Sequence, residues 1–201
     1  MVKQAKKAVK VKKQSFFKDT TIVGDPVKYY VILSLVLFAF WLLLSGKLEA
    51  KFIIYGVATS LIAAYISMPL LLVPSKDGKK KYFAFGVSLW RFALYWIWLM
   101  REVVNANLDV ERAVVRPEME INPMMVSFKM PYENPMAHTT LANSITLTPG
   151  TITVDVTEDG VYKVHALTDG AREGLLSGGM QQKIADLFGE HCEFSVLEGG
   201  N

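Results

Sequence analysis

The stretch that decides the fold is LANSITLTPGTITVDV, residues 141–156. Leu141 and Ile145 stand at helical spacing, and Pro149 disfavours helical geometry at the residue before it, so a helix has to end there. Pro149 and Gly150 suit the two central positions of a type II turn, because the proline ring fixes one backbone angle and glycine tolerates a positive one. The β-branched run that follows alternates in character and predicts a strand.

A hairpin is predicted from the turn residues Glu158, Asp159 and Gly160 and from the second β-branched run, residues 161–167. A two-residue loop would mix apolar and polar side chains on one face of this hairpin. A three-residue loop with Gly160 in the left-handed region instead pairs apolar with apolar residues. The predicted pairs are Val156 with Tyr162, Val154 with Val164, Ile152 with Ala166, Asp155 with Lys163 and Thr153 with His165.

This run, followed closely by Val164-His165-Ala166-Leu167, resembles the E subunit of Mrp-type multi-subunit cation/proton antiporters, an MnhE-like family. The similarity extends upstream through ANLDV, residues 106–110, and Asn122-Pro123, and its general layout covers about residues 29–188. The resemblance implies a bacterial or archaeal inner-membrane subunit with a small cytoplasmic domain. It also implies a chain that is non-catalytic by itself and assembles with larger ion-conducting subunits.

Composition separates the chain into a membrane part and a soluble part. Hydrophobic residues make up 51% of the chain and are crowded between residues 29 and 100, which is unlike an ordinary soluble protein. The formal net charge is only +3, and Cys192, as the single cysteine, allows no intramolecular disulfide. The lysines ahead of the first apolar run are Lys3, Lys6, Lys7, Lys10, Lys12, Lys13, Lys18 and Lys28. Beside a membrane segment, such a tail indicates the cytoplasmic side and anionic lipid rather than nucleic acid.

Two apolar runs, residues 29–46 and 52–73, are long enough to cross a bilayer and contain no Asp, Glu, Lys, Arg or His. The short link between them makes the two spans antiparallel neighbours. Gly56, Ser60 and Ala64 recur at every fourth position, which gives the second span a face that another helix can approach closely. Proteins that carry ions place ionisable groups at membrane depth. These spans are therefore expected to anchor the chain and to pack against partner helices.

The third apolar stretch lies within residues 82–116 and leaves two alternatives. One stripe of polar or amphipathic side chains follows a helix with alternating spacings of four and three, namely Arg91, Tyr95, Trp98, Glu102, Asn105, Asp109, Arg112 and Arg116. This pattern favours a helix in the plane of the membrane surface with its apolar face down. If Arg91 faced a partner inside the bilayer, the stretch would be a third span. The lysine cluster Lys76, Lys79, Lys80 and Lys81 favours the two-span alternative, since it belongs on the cytoplasmic side together with the basic tail.

The predicted fold class is α+β with a membrane anchor: two transmembrane helices, a long amphipathic interfacial helix, and a small cytoplasmic domain ordered strand, helix, strand, strand, helix. The predicted parts are a basic cytoplasmic tail (1–28), a transmembrane hairpin (29–73), the interfacial helix (82–116) and the cytoplasmic α/β domain (121–197).

Within the cytoplasmic domain, alternation around Phe128 predicts the first strand, and Asn134 is predicted to cap a helix. Thr168-Asp169-Gly170 and a polar, glycine-bearing segment follow the hairpin, and no helix or strand is assigned to them. A last helix over residues 179–188 is predicted to bury Met180, Ile184 and Phe188 and to expose Gln181, Gln182 and Lys183. Phe194, Val196 and Leu197 suggest a short final strand.

No pattern in the chain indicates chemistry of its own. His165 on a strand is more typical of a hydrogen-bonded or exposed histidine, and His138 and His191 match no zinc spacing. We predict no catalytic, cofactor-binding or metal-binding residues and no small-molecule substrate. Structural roles are predicted for Pro149, Gly150 and Gly160 in turns and for Gly56, Ser60 and Ala64 in helix packing.

The resemblance and the uncharged spans together predict an accessory subunit of a monovalent cation (sodium)/proton antiporter complex. The chain would be a multi-pass inner-membrane protein with both termini in the cytoplasm, and its partners would be other complex subunits and membrane lipid. An alternative is the equivalent subunit of a redox-driven ion pump such as a membrane-bound hydrogenase. A membrane-tethered ligand-binding domain would need a pocket with convergent polar groups, which the sequence does not display.

Overall fold

The structure is a computed structural model that describes residues 21–116 and 121–197. The prediction of a basic cytoplasmic tail falls largely on residues 1–20, which lie outside the described residues. Of the eight lysines in that prediction, Lys28 is described, and it lies in the first turn of the first helix.

The two long apolar runs form an antiparallel pair of helices, α1 (Pro26–Ser45) and α2 (Ala50–Leu71). Asp25 begins α1, because its side-chain Oδ1 accepts a hydrogen bond from the backbone N–H of Val27 at 3.0 Å. Gly46 ends α1 in the left-handed conformation, with φ of 60°. Both helices are long and apolar enough to cross a membrane, as predicted.

The second apolar run, residues 52–73, is helical as far as Leu71. Its last residues open β2 (Leu72–Pro74), which pairs antiparallel with β3 (Lys80–Phe83). Pro69 already removes one helical hydrogen bond, and the pairing with β3 satisfies the backbone groups that follow it. β1 (Thr21–Ile22) pairs with β3 in parallel and completes a small sheet, ordered β1-β3-β2, which the sequence did not reveal.

Most of the third apolar stretch forms one continuous helix, α3 (Leu89–Val115). Within the described residues, α1 and α2 meet the length and hydropathy criteria for a membrane span and α3 does not. Two of its aromatic or aliphatic side chains, Tyr95 and Leu99, are buried in the core of the soluble domain. The polar stripe is therefore not exposed along its whole length, because Tyr95 is buried against the soluble domain.

The soluble domain is a four-stranded antiparallel sheet with helices on one face. Its strands are β4 (Met124–Lys129), β5 (Thr151–Val156), β6 (Val161–Ala166) and β7 (Ser195–Leu197), in the order β5-β6-β4-β7. The helices are α4 (Pro135–Leu147), α5 (Asp169–Leu176) and α6 (Gly179–Phe188). The fully buried large side chains of this core include Phe128, Met130, Leu141, Ile145, Tyr162, Val164 and Ile184.

The turn between α4 and β5 has the geometry that its sequence predicts. Asn134 caps α4 by accepting a hydrogen bond from the N–H of Met136 at 3.0 Å. At the other end of the helix, the N–H of Thr151 donates to the carbonyl of Thr148 at 3.3 Å, and Gly150 between them has φ of 87°. The chain thus reverses within four residues, from the last turn of a helix into a strand.

The β5–β6 hairpin has the predicted loop but not the predicted register beyond it. Val156 pairs with Tyr162 and Asp155 with Lys163, while Gly160 has φ of 76°. The other three predicted pairs are wrong, because a bulge at Val154 shifts the register by one residue. The remaining observed pairs are Thr153 with Val164, Ile152 with His165, and Thr151 with Ala166.

The physical reason for the shift lies in the end of α4. Thr151 and Thr153 now point inward, where their hydroxyls donate to the carbonyls of Ile145 at 2.6 Å and Ala142 at 3.0 Å. Ile152 is left 57% exposed on the other face of the sheet. The hydrogen bonds to the carbonyls at the end of α4 therefore determine the register of β5, although this register exposes an apolar side chain.

Two further features of the soluble domain are not predicted from the sequence. The segment after Thr168 is a helix, α5, because the Thr168 hydroxyl accepts a hydrogen bond from the N–H of Ala171 at 3.2 Å and caps it. Gln181, predicted to be exposed, is fully buried, with its Nε2 donating to the carbonyl of Leu175 at 2.9 Å. The predicted final strand is present as β7.

Candidate functional site: the helical hairpin and its junction with the soluble domain

The small-residue face of α2 packs against α1. Ser60 and Ala64 are 5% and 0% exposed, and Gly56 is buried as well. A Cβ atom added at Gly56 would lie 2.4 Å from Cδ1 of Trp41, closer than any real contact. The face that we expected to receive partner helices is therefore occupied by the first helix of the same chain.

Hydrogen bonds hold the two helices together near both ends. The Trp41 Nε1–H donates to the carbonyl of Phe52 at 3.2 Å, close to the link between the helices. The Tyr30 hydroxyl donates to the carbonyl of Leu61 at 2.9 Å, at the opposite end of α1. Tyr30 and Trp41 thus fix the register of one helix against the other.

The outward faces of the hairpin are apolar and exposed. The large side chains that are at least 58% exposed are Val27, Leu35, Val36, Phe40, Leu43, Leu44, Leu48, Ile54, Tyr55, Ile62, Tyr65, Ile66 and Leu70. An exposed apolar surface of this size is typical of a protein surrounded by lipid or by partner helices.

The turn between β2 and β3 carries the lysine cluster and is joined to the soluble domain by ion pairs. Lys80 Nζ lies 2.6 Å from Glu133 Oε2, and Lys76 pairs with Asp159. The Tyr82 hydroxyl donates to the same Glu133 carboxylate at 3.2 Å. These contacts hold the pKa of the Glu133 carboxyl below its usual range, with the Lys80 hydrogen bond as the main cause.

Glu190 fixes the loop that presents Glu133. Its two carboxylate oxygens each accept a backbone N–H at 2.8 Å, one from Glu133 and one from Asn134. Cys192 lies beside this carboxylate, and burial together with the negative charge of Glu190 raises the pKa of the Cys192 thiol to about 11. The thiol is therefore protonated and unreactive near neutral pH.

His138 connects the same loop to the core of the sheet. Its Nε2 lies 3.0 Å from the carbonyl of Tyr132, so this nitrogen carries the proton, and its Nδ1 accepts from the Tyr162 hydroxyl at 2.8 Å. Both bonds are made by the neutral imidazole. Burial lowers the pKa of His138, which agrees with a neutral structural histidine rather than a catalyst.

α3 rests on the soluble domain through one face. The Tyr95 hydroxyl and the Ser144 hydroxyl are 2.6 Å apart in a buried contact, and Leu99 is only 1% exposed. Lys183 Nζ lies over the Trp98 ring, 5.9 Å from its centroid. On the opposite face, exposed apolar side chains include Leu89, Trp90, Ile97, Met100 and Val104. The helix thus has one side bound to the domain and one apolar side left open.

The two segments that carry the family resemblance meet in a cleft of about 360 Å³ between α3 and the domain. Asp109 and Val110 of the first segment face Thr148 and Pro149 of the second across this cleft. A Cβ atom added at Gly150 would lie 3.3 Å from Cγ2 of Val110. Gly150 therefore serves two purposes, since it supplies a positive φ and lets α3 approach the turn closely.

The structure places the predicted residues in three separate parts of the molecule. Pro149 and Gly150 lie at the α3 cleft, and Gly160 lies at the far end of the β5–β6 hairpin. Gly56, Ser60 and Ala64 form the α1–α2 contact. Within residues 21–116 and 121–197, no group of three or more His, Cys, Asp or Glu side chains is arranged to hold a metal ion. The junction formed by Lys76, Lys80, Glu133, Asp159 and Glu190 was missed, because these residues are distant in sequence and carry no motif.

Comparison with known proteins agrees with this architecture. A family profile described as Na+/H+ ion antiporter subunit, MNHE, matches residues 34–185. The Na(+)/H(+) antiporter subunit E1 of Staphylococcus saprophyticus is 26% identical over 145 residues, which cover 71% of this chain and 84% of that protein.

Two solved complexes contain similar chains. A chain of the membrane-bound sulfane sulfur reductase, an archaeal respiratory membrane complex, aligns with a TM-score of 0.52 and 30% identity over 78% of this chain and 97% of its own length. A chain of the Mrp complex from Dietzia sp. DQ12-45-1b aligns with a TM-score of 0.35 and 25% identity over 48% of this chain and 91% of its own length. Because the family profile covers well over half of the sequence, this chain belongs to the MNHE family of Na+/H+ antiporter subunits.

Proposed function

We propose that this chain is a non-catalytic accessory subunit of a multi-subunit monovalent cation (sodium)/proton antiporter in the cell membrane. The observation that carries the proposal, beside family membership, is the absence of Asp, Glu, Lys, Arg and His from residues 29–46 and 52–73. A subunit without ionisable groups at membrane depth offers no relay for protons and no strong ligand for cations. Its role is to hold and orient the subunits that contain such groups.

Both chain ends are proposed to lie in the cytoplasm, and two contacts support this. β1 precedes α1 and pairs with β3, which follows α2, so the chain returns to the side from which it started. Lys80 of β3 pairs with Glu133 of the soluble domain, so this domain lies on that same side. A third crossing by α3 would separate Lys80 from Glu133 by the bilayer. The lysine-rich turn supports the cytoplasm as the shared side.

α3 is proposed to lie on the cytoplasmic surface of the membrane, between the bilayer and the soluble domain. Its domain-facing side carries Tyr95 and Leu99, and its opposite side carries exposed apolar residues such as Ile97 and Val104. An amphipathic helix with this arrangement is stable when its apolar side enters the boundary between headgroups and acyl chains. The helix would then support the domain at a fixed height above the membrane.

A second candidate is the equivalent subunit of a redox-driven ion pump. It is favoured by the alignment with a chain of an archaeal respiratory membrane complex, 97% of whose length is covered. The two candidates predict different partners. Purification of the native assembly in a gentle detergent, followed by identification of its subunits, distinguishes them: antiporter subunits alone support the first, and nickel–iron or iron–sulfur proteins support the second.

The accessory role is tested by reconstitution. Liposomes containing this chain alone, with a pH gradient and sodium as counter-ion, should show no exchange above that of empty liposomes. Liposomes containing the whole assembly should exchange, and assembly without this chain should exchange less. Robust, saturable exchange by the isolated chain would overturn the proposal.

The topology is tested separately with a reporter that is active only outside the cytoplasm. Fused after Asn201, it should be inactive, and inserted beside Leu48 in the link between α1 and α2, it should be active. Strong activity after Asn201 would show that α3 crosses the membrane.

A further inference from the structure

A cleft of about 660 Å³ runs along the outward surface of the helical hairpin. Its floor contains Trp41 and the buried Ser60, and its rims are formed by Phe40 and Leu44 on α1 and Tyr55 on α2. The rim side chains are 61%, 69% and 58% exposed. The cleft is therefore a slot between large side chains, open toward the hydrophobic part of the bilayer.

The slot has the dimensions of a lipid chain. It extends along α2 from Phe52 to Ala63, which corresponds to about 16 Å at a helical rise of about 1.5 Å per residue. A further helix would need small residues at its contact. Gly56 and Ala64 are already covered by α1, and the small Ser60 and Ala63 in the slot lining are accompanied by large side chains such as Phe40 and Tyr55. A narrow, flexible apolar chain fits such a slot better than another helix does.

A lysine side chain lies at one end of the slot. Lys47 lines the cleft at the end nearest the link between the helices, and its Nζ lies 5.0 Å from the centroid of the Phe52 ring. The nearby carboxylate of Glu49 pairs with Lys51 at 3.1 Å. Lys47 thus has no carboxylate partner among the described residues, and its ammonium group stands where a lipid headgroup would lie.

We propose that this cleft is a binding site for one anionic phospholipid, with an acyl chain along the slot and the phosphate against Lys47. The site requires only that α1 and α2 lie in a bilayer, and it does not depend on the ion or the complex that the subunit serves. With the soluble domain in the cytoplasm, the bound lipid would belong to the opposite leaflet.

Native mass spectrometry of the full chain tests the site, with phosphatidylglycerol and phosphatidylethanolamine of the same acyl chains as probes. The wild-type chain should retain one phosphatidylglycerol about fivefold more tightly than phosphatidylethanolamine, the factor that one lysine near an anionic surface contributes. Lys47→Gln should remove this preference while a lipid remains bound. Lys28→Gln, at the opposite end of α1, should keep it.

The slot itself is tested by filling it. Ala63→Trp should lower retention of both lipids, whereas Ala58→Trp, an exposed position outside the cleft lining, should not. Equal retention by these two variants, or an unchanged headgroup preference in Lys47→Gln, would overturn the proposal.

The occupant in the assembled complex is identified with phosphatidylglycerol that carries a photoreactive group on its acyl chain. Labelling of Phe40, Tyr55 or Thr59 in the native assembly supports the lipid site. A cysteine at Thr59 that crosslinks efficiently to a partner subunit instead would show that a protein helix fills the slot, and the proposal would fail.

Discussion

The helical hairpin and the soluble domain bury very different side chains. In the hairpin the buried residues are small: Ser34, Gly56, Ser60 and Ala64. In the domain they include many large side chains, among them Phe128, Leu141, Ile145, Tyr162 and Ile184, all essentially inaccessible. The domain is thus stabilised by its own hydrophobic core. The hairpin is stabilised by close backbone approach and by whatever surrounds its exposed apolar faces.

The largest effect is expected from emptying the domain core. Leu141→Ala should destabilise the domain by about 2–5 kcal/mol, because it removes a fully buried side chain and leaves a cavity. The measurement is urea unfolding of the full chain in detergent, monitored by hydrogen exchange of the amides in the domain strands. Leu147→Ala, at a position 51% exposed, is the control and should change stability by less than about 0.5 kcal/mol.

The next effects concern the two turn glycines. Gly160→Ala should cost about 3 kcal/mol, since the new Cβ would lie 2.7 Å from the backbone oxygen of Met130 in a residue with positive φ. Gly150→Val should cost roughly 1–3 kcal/mol, because a β-branched residue disfavours the positive φ of this turn. This cost is expected to be lower than that of Gly160→Ala, because the atom nearest to the new Cβ is a side-chain methyl of Val110 and not a backbone atom. Unfolding by urea ranks the two.

His165→Ala serves as the reference for both glycine variants and should be nearly neutral, since His165 lies on the outer face of the sheet opposite Ile152. A domain that unfolds in His165→Ala yet tolerates Gly150→Val would contradict this ranking.

In the hairpin the corresponding test is a larger side chain at Gly56. Gly56→Leu should separate α1 from α2 at an expected cost of about 1–3 kcal/mol for overpacking, because it collides with the Trp41 ring. Pulsed electron resonance between spin labels at Leu35 and Ile62, in a Cys192→Ser background, reports the separation. Ala58→Leu on the exposed side should leave the distance unchanged, and domain stability should be the same in both variants.

A smaller effect is expected from pH through His138. Its pKa is lowered in the folded protein, so the unfolded chain binds the proton more readily. The stability that neutral His138 allows is complete above the unfolded pKa of about 6.5 and falls as pH drops from there toward the folded pKa. His138→Gln should flatten stability between pH 7 and pH 5 in urea unfolding. An unchanged pH slope would show that His138 is not responsible.

The smallest effect is expected at the junction. Lys80→Gln should loosen the contact between β3 and the soluble domain only slightly, because Lys80 and Glu133 are both well exposed. Hydrogen exchange of residues 80–83 should rise in low salt and match the wild type at about 1 M salt, where charges are screened. Lys79→Gln is the matched control. A large loss at high salt would mean that the junction is not electrostatic.

The sequence predicts those features of the hairpin and of the domain that depend on neighbouring residues. The spans, α4 with its Asn134 cap, and the turn at Gly150 follow from local rules of hydropathy and backbone geometry. The register of β5 does not, because it depends on the carbonyls of Ala142 and Ile145, which need the hydroxyls of Thr151 and Thr153.

The candidate site was harder to predict, for the same physical reason. Small residues at every fourth position predicted a packing face, but the sequence could not indicate that Trp41 of α1 covers it. The pairing of Lys80 with Glu133 joins residues 53 positions apart, and single charged residues carry no signal of their partner. Turns and helix ends can be predicted from neighbouring residues, whereas the residues that pack against a given surface are known only from the folded chain.

The parallel pairing of β1 with β3 has a consequence for how the protein is made. Thr21 and Ile22 leave the ribosome long before Lys80 and Lys81, their partners in the pairing. The small sheet can close only after both helices have been synthesised and α2 has brought the chain back to the end of the hairpin at which α1 begins. A chain that inserted only one helix would hold these strands on opposite sides and leave β3 without β1. The pairing of β1 with β3 therefore depends on α1 and α2 both being in place.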